Sequence, residues 1–140
     1  MKGSDMLVRV SRPLALALAA ALTIAAAACG SATSPSATTT DSLGGVLQAG
    51  GINIHTFEAS KAGDISITLT SLDTLPAAVV GMALGTANAG SCAVQYRYEG
   101  FKVGTVWTTS IITRGSYCVV IYDTGAITQN VNYGFKVTHP

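Results

Sequence analysis

The chain has 140 residues, of which 49% are hydrophobic and 11% are charged, and its formal net charge is +1. Once the N-terminal segments described below are set aside, about 95 residues remain, which is enough for one hydrophobic core but not for two. The lysines and arginines form no cluster that would neutralise a run of phosphates, so nucleic-acid binding is disfavoured and no nucleic-acid partner is predicted.

The first 28 residues have the layout of an export signal. Arg9 and Arg12 provide a positively charged start, and residues 14–28 are apolar or small apart from Thr23. This run of about 15 residues is shorter than the roughly 20 that a helix needs to cross a bilayer, and no charged stop-transfer cluster follows it. We therefore predict a signal peptide over residues 1–28 rather than a permanent transmembrane helix.

The signal ends at a cysteine. Residues 26–30, Ala-Ala-Ala-Cys-Gly, resemble a bacterial lipobox, in which a lipid is attached to the cysteine and the peptide is cut just before it. Ala26 stands where that motif usually has leucine. The resemblance implies lipidation of Cys29, a membrane anchor, and a location in the bacterial cell envelope facing the periplasm or the exterior. An ordinary secretory signal with a secreted product is the alternative.

A polar segment follows the cysteine. Residues 30–43 consist mainly of Ser, Thr, Ala and Gly, with too few large apolar side chains to offset the entropy of ordering them. We predict a lipidated cysteine and a flexible Ser/Thr-rich tether over residues 29–43. As a flexible coil of about 14 residues, the tether reaches roughly 20 Å. The folded domain is then expected over residues 44–140.

From residue 44 onward, short β-prone runs are separated by turns rich in Gly, Asn, Asp and Ser. In the clearest run, residues 64–70, Ile65, Ile67 and Leu69 alternate with hydroxyl side chains, as in a half-buried antiparallel strand. Further strands are predicted at residues 55–58, 78–84, 93–98, 105–113, 117–123 and 131–138. We predict an all-β fold, a single antiparallel, jelly-roll-like β-sandwich of about seven to eight strands.

The two remaining cysteines are predicted to form a disulfide. With Cys29 assigned to the lipid, Cys92 and Cys118 can pair in an oxidising compartment. The bridge would close a loop of about 26 residues and contribute roughly 3–4 kcal/mol on the chain-entropy model. Two buried thiols that never meet are the alternative. A zinc site lacks a second ligand at the required spacing, and we predict no metal and no cofactor.

Two stretches of the domain resemble bacterial pre-peptidase C-terminal domains. Residues 57–69 are similar to the first hairpin of that family, and residues 115–137 are similar to its ending. The resemblance implies a jelly-roll-like sandwich of the kind appended to secreted proteins. Residues 79–84 lack the aspartates that the family commonly carries there, so a calcium site implied by the family has lost its carboxylates here.

Strict alternation predicts which side chains share a face. It places Tyr96 and Tyr98 on the same face of their strand as Cys92, and Tyr122 on the same face of its strand as Cys118. The disulfide would then join two apolar faces across neighbouring strands. Either this sheet is covered on both sides or it exposes an apolar patch with tyrosines. The polar residues that alternate with Tyr96 and Tyr98 are predicted to form a solvated face.

If the patch is exposed, its aromatic residues are the candidates for ligand binding. Tyr96, Tyr98, Trp107 and Tyr122 are able to stack on sugar rings or to anchor a protein partner. Packing in the core or at its rim is the alternative role for these four residues.

The sequence contains no catalytic constellation. His55 lies in a predicted strand, His139 sits next to the C-terminus, where a side chain is poorly held, and no Gly-x-Ser-x-Gly turn is present. We predict a lipid-anchored, non-catalytic binding or structural module of the cell envelope. Its partners are the membrane and a glycan, an envelope polymer or an envelope protein. A small secreted hydrolase or an enzyme inhibitor is the alternative.

Overall fold

A computed structural model describes residues 37–140 of the chain. The predicted signal peptide, the lipobox and the first part of the tether lie outside these residues, so they remain predictions. Residues 37–140 form eight antiparallel strands in two four-stranded sheets. Within this range there is no helix with the length and apolar character needed to cross a membrane. The predicted β-sandwich is confirmed.

The strands alternate in direction along the chain. Their bounds are β1 (Thr39–Leu47), β2 (Ile52–Ala59), β3 (Gly63–Leu72), β4 (Val80–Asn88), β5 (Ser91–Phe101), β6 (Val106–Ile111), β7 (Gly115–Asp123) and β8 (Val131–His139). Sheet A has the strand order β1-β8-β3-β6, and sheet B has the order β2-β7-β4-β5. Only β4 and β5 are consecutive within one sheet, so every other connection crosses from one sheet to the other.

The core lies between the two sheets and follows from the alternation of side chains. In β3, Ile65, Ile67 and Leu69 are fully buried, and in β8 the same is true of Phe135 and Val137. Side chains from the inner faces of both sheets join them in one cluster. Burying a side chain of this size contributes roughly 1.5–3 kcal/mol relative to leaving it in water. These contacts hold the two sheets together.

The folded domain begins earlier than predicted, with a strand that was not predicted. Residues 39–43, which composition assigned to the tether, form the first half of β1 and pair with the last residues of β8. Composition misled here because an edge strand needs few large apolar side chains. Leu43 and Leu47 supply the contacts of β1 with the core, and its backbone hydrogen bonds go to β8. The prediction that residues 39–43 are flexible is therefore wrong.

The C-terminus is held firmly, contrary to the prediction for His139. This side chain is buried, its Nε2 lies 3.1 Å from Oδ2 of Asp41, and its ring centre lies 4.9 Å from that of Phe57. The carbonyl of Pro140 accepts a hydrogen bond of 3.1 Å from the backbone N–H of Ser60. The prediction failed because β8 continues to His139 and pairs with β1 over its whole length.

The two ends of the sandwich differ in their loops. At the end that carries Thr39 and Pro140, the turns span only residues 60–62, 89–90 and 112–114. We call this the terminal end. The opposite, distal end carries the longer connections at residues 48–51, 73–79, 102–105 and 124–130.

Candidate functional site

The two sheets differ in the faces that they turn away from the core. The outward-facing side chains of the central strands of sheet A are Ser66 and Thr68 of β3 and Lys136 and Thr138 of β8. Polar residues are expected on the solvated face of an antiparallel sheet. Sheet B lacks this pattern, because its outer face is mainly apolar.

The outer face of sheet B forms a groove with a volume of about 510 Å³. Ile52 and Ile54 of β2 form one wall and are 63% and 43% exposed, while Val94 of β5 lies on the other side and is 37% exposed. Val120 of β7 and Ala83 of β4 are buried and form the floor. We call this feature, with Tyr122 at its distal end, the sheet B groove. Its volume is in the usual range for small-molecule sites, roughly 300–1,000 Å³.

Small residues of β4 give the groove its depth. The outward-facing positions of β4 are Gly81, Ala83 and Gly85. A Cβ atom at Gly81 would lie 2.2 Å from ring atoms of Tyr122, so this ring rests on the glycine backbone. A Cβ atom at Gly85 would lie 2.2 Å from the carbonyl oxygen of Ala93. The backbone of β5 therefore folds closely over β4 at Gly85.

The disulfide lies at the terminal end of this groove. Cys92 and Cys118 are bonded, with an S–S distance of 2.01 Å and a Cα–Cα distance of 5.8 Å, which confirms the predicted pairing. The prediction that the bridge joins neighbouring strands is wrong, because β4 lies between β5 and β7. Strands that flank a third are normally about 9.5 Å apart. The fold of β5 over Gly85 brings the two cysteines within bonding distance.

The disulfide and the close approach of β5 explain how the outer face of β7 is covered. Cys118 and Val120 point away from the core, yet both are buried. Ile52, Ile54 and Val94 around them remain exposed. The outer face of sheet B is thus covered at Cys118 and open over the rest of the groove, which answers the choice between a covered sheet and an exposed patch.

A bulge in β5 separates the tyrosines that were predicted to share a surface with Cys92. Gly85 of β4 pairs with Val94, while the preceding Leu84 pairs with Tyr96, so Gln95 is an extra residue in β5. The insertion reverses the alternation. Cys92 and Val94 therefore face outward, whereas Tyr96 and Tyr98 face the inner side of sheet B, and the predicted common face is wrong.

The four aromatic candidates consequently occupy different places. Tyr98 lies at the open side between β5 and β6, with its ring centre 6.1 Å from that of Trp107 and 5.1 Å from that of Phe101. Tyr96 lines a smaller cleft of about 160 Å³ at the same side. Tyr122 alone belongs to the sheet B groove. The structure brings Tyr98 and Trp107 together but does not assemble one aromatic strip, and a ligand-binding role for these residues remains a prediction.

The polar part of the groove centres on Tyr122. The guanidinium carbon of Arg97 lies 6.0 Å from the centre of the Tyr122 ring, and the Tyr122 hydroxyl lies 3.5 Å from Oε1 of Glu99. Burial raises the pKa of Tyr122, and the Glu99 carboxylate raises it further against the opposing effect of Arg97. The hydroxyl therefore keeps its proton and acts as a donor at neutral pH. Alternation had assigned Arg97 to a solvated face, whereas it lines the groove.

Asp123 lies at the distal rim of the groove, and its carboxylate accepts hydrogen bonds from backbone N–H groups. Its Oδ1 accepts hydrogen bonds from the N–H groups of Gly125, Ala126 and Ile127, and its Oδ2 accepts one of 2.8 Å from Gly50. Burial alone would raise the pKa of Asp123, but these four donors outweigh it and hold the pKa below its usual value. The carboxylate thus joins the loop after β7 to the turn before β2.

His55 lies on the inner side of β2, away from the groove. Its Nε2 is 2.7 Å from the hydroxyl oxygen of Tyr133, and its ring stands edge-on to Phe135 at 5.2 Å. Burial lowers the pKa of His55, and burial also raises the pKa of Tyr133 against the effect of a hydrogen bond from Asn53. A neutral histidine paired with a protonated tyrosine is therefore favoured. Within residues 37–140, no group of three or more His, Cys, Asp or Glu residues is placed to hold a metal ion.

The sequence reasoning missed Ile52 and Ile54 as site residues. The predicted strand began at residue 55, whereas β2 begins at Ile52. The sequence did indicate this surface, because Ile52 and Ile54 occupy even-numbered positions whereas Phe57 and Ala59 occupy odd-numbered ones. In a strand, this change places apolar side chains on both faces.

Comparison with known proteins supports the fold and leaves the function open. No family model matches the sequence, and no curated protein matches it. The chain is similar to the crystal structure of the Yersinia pseudotuberculosis-derived mitogen, with a TM-score of 0.55 and 15% sequence identity. The similarity covers 74% of this chain and 88% of that chain. At this level of identity, it establishes a shared sandwich fold and nothing about activity.

Proposed function

We propose that this protein is a lipid-anchored, non-catalytic binding module of the bacterial cell envelope, and that it binds its ligand in the sheet B groove. One observation carries the proposal. Ile52 and Ile54 are exposed side by side on the outer face of a sheet, where an antiparallel sandwich normally carries polar residues. An apolar groove with a few polar groups at its edge is the default candidate for a binding site in a soluble domain.

The envelope location is supported by two features of the chain. Cys29 follows an export signal in a lipobox-like context, and the Cys92–Cys118 disulfide suits an oxidising compartment outside the cytoplasm. Because β1 begins at Thr39, at most residues 30–38 remain for the proposed tether.

A binding role without catalysis is favoured by the roles of the titratable groups. The imidazole of His55 is paired with Tyr133, and that of His139 is paired with Asp41. Both carboxylate oxygens of Asp123 accept backbone hydrogen bonds. These groups stabilise the fold, which leaves them poorly suited to act as a general base. The ligand we expect is an envelope component with a substantial apolar part.

The anchor is tested by the intact mass of the mature protein extracted from membranes. We expect an N-terminal Cys29 carrying acyl groups, and a mass two hydrogens lower than that of the reduced chain because of the disulfide. Recovery of a soluble, unmodified product would refute the lipid anchor and favour simple secretion.

The binding surface is tested with a Cys29→Ser chain, which lacks the acylation site and needs no detergent. The glycan, lipid and protein fractions of bacterial envelopes are immobilised separately, and retention of the chain is measured on each. We expect retention on one fraction, loss of it in Ile54→Arg, and no change in Thr108→Arg, a matched substitution on the outer face of sheet A. Equal retention of both variants, or no retention of the parent chain, contradicts the proposal.

A further inference from the structure

The dimensions of the sheet B groove limit what fits in it. Four strands span about 14 Å, and the exposed apolar side chains extend a similar distance along them. The patch is therefore on the order of 200–300 Å², whereas a stable protein interface buries about 800 Å² on each partner. A second copy of this chain, or another folded domain, would bury too little surface here to form a stable complex. The groove therefore suits a ligand with a narrow cross-section, such as a single extended chain.

The chemistry of the groove favours a hydrocarbon chain over a peptide. The groove lies on the face of the sheet, where the backbone groups of β7 and β4 are already hydrogen-bonded to neighbouring strands. A peptide backbone lying over Val120 and Ala83 would lose its hydrogen bonds to water without replacement, which is costly. A hydrocarbon chain has no such groups to satisfy.

A row of side chains across the sheet defines a path for that chain. Ile54 pairs with Val120, Val120 pairs with Ala83, and Ala83 pairs with Arg97. Three apolar side chains are therefore followed by one cation in the same row. A chain that crosses the strands along this row meets only apolar surface until it reaches Arg97.

The cation at the end of the row is available to a ligand. Arg97 contacts the face of Tyr122, and within residues 37–140 it forms no ion pair with a carboxylate. Of the two acidic residues nearby, Asp123 is held by four backbone N–H groups, and Glu99 lies beside the Tyr122 hydroxyl. The planar guanidinium group matches a carboxylate with two parallel hydrogen bonds.

We propose that the sheet B groove binds a free long-chain carboxylate, with its unbranched hydrocarbon chain across Ala83 and Val120 and its carboxylate at Arg97. This inference rests on the proposed function, since it specifies the ligand of the same groove. A terminal carboxylate is preferred over an alcohol or an amine of equal chain length.

Calorimetric titration of the Cys29→Ser chain provides the test. The probes are octanoate, decanoate, dodecanoate and tetradecanoate, each below its micelle concentration so that no lipid surface is present. Full burial of two methylene groups strengthens binding about 15-fold, and because the groove is open on one side we expect about fourfold for each added pair. Affinity should stop rising when the chain exceeds the width of the sheet.

The head group is tested with dodecanol and dodecylamine, and with two variants. Arg97→Gln should weaken dodecanoate binding about tenfold, to the affinity of dodecanol, while Lys136→Gln on the outer face of sheet A should leave it unchanged. The thermal unfolding midpoint of each variant serves as the control for an intact fold, and we expect it to equal that of the parent chain. An affinity that does not depend on chain length, a preference for the amine, or unaltered binding by Arg97→Gln overturns the inference.

The failure of the ligand class is distinguishable from the failure of the proposed function. If no carboxylate binds but an envelope fraction still retains the chain and Ile54→Arg abolishes that retention, the long-chain carboxylate is wrong and the groove remains the binding surface. If neither the carboxylates nor any envelope fraction binds, both proposals fail.

Discussion

Replacing Cys92 and Cys118 together by alanine removes the covalent link between β5 and β7. The two residues are 26 positions apart, and the entropy of closing a loop of that length corresponds to about 3.5 kcal/mol at 25 °C on the chain-entropy model. For a domain of this size, each kcal/mol of lost stability lowers the unfolding midpoint by roughly 4 °C or more. We therefore expect the double variant to unfold about 14 °C below the parent chain.

The assay is urea unfolding of the Cys29→Ser chain with and without the double substitution, followed by circular dichroism. Because the unlinked denatured chain is more expanded, the dependence of the free energy of unfolding on urea should become steeper as its value in water falls. The unsubstituted chain in the presence of a reductant serves as the control and should approach the double variant. A loss of less than about 1 kcal/mol would show that the bridge does not stabilise the sandwich by constraining its denatured state.

Three further outcomes follow from individual contacts. Gly85→Ala places a Cβ atom against the carbonyl oxygen of Ala93, which forces β5 to shift. We expect the free energy of unfolding, measured by urea titration, to fall by about 1–3 kcal/mol. An unchanged free energy of unfolding would contradict the close approach of β5 to β4. Asp123→Asn should cost about 1–2 kcal/mol at pH 7, because hydrogen bonds to a charged acceptor are lost. The pKa of Asp123 is lowered in the folded protein, so the stability difference between the parent chain and Asp123→Asn should shrink as the pH falls below about 3.8 and through the folded-state pKa. A stability difference that persists in acid argues against a charged Asp123 as the stabilising acceptor. Because the pKa of His55 is lowered in the folded protein, the unfolded chain takes up a proton at this residue first as the pH falls below about 6.5. The free energy of unfolding should therefore drop more steeply towards acid in the parent chain than in His55→Gln. Equal slopes of the free energy of unfolding against pH would refute this.

The stretch from residue 64 to residue 70 shows why much of the fold was predictable. Ile65, Ile67 and Leu69 alternate with hydroxyl residues, and β3 has the predicted face buried in the structure. Alternation of this kind is a local property, because successive side chains of a strand point to opposite faces whatever the strand packs against. The other six predicted strands were identified as short β-prone runs between turn residues, which is also a local signal. The strand β1 was missed because its contribution to the core is only Leu43 and Leu47.

The candidate site could not be predicted from alternation within single strands. Its location depends on the extra residue Gln95 in β5, which reverses the alternation, and on Gly85, which lets β5 fold over β4. Neither effect can be read from one strand alone, since a bulge exists only relative to the strand with which it pairs. Ile52 and Ile54 likewise form a wall only because β2 lies beside β7.

The sequence by itself determined the fold class and most of the buried faces, because these follow from periodicity. It predicted the pairing of Cys92 with Cys118 only with Cys29 assigned to the lipid, and the structure established that pairing. The tertiary structure alone decided that Tyr122 and Arg97 line one groove while Tyr96 and Tyr98 face the opposite side of the same sheet. The physical reason is that a binding surface is assembled from strands that are distant in the chain, and their order and register are set by the packing of the whole sandwich.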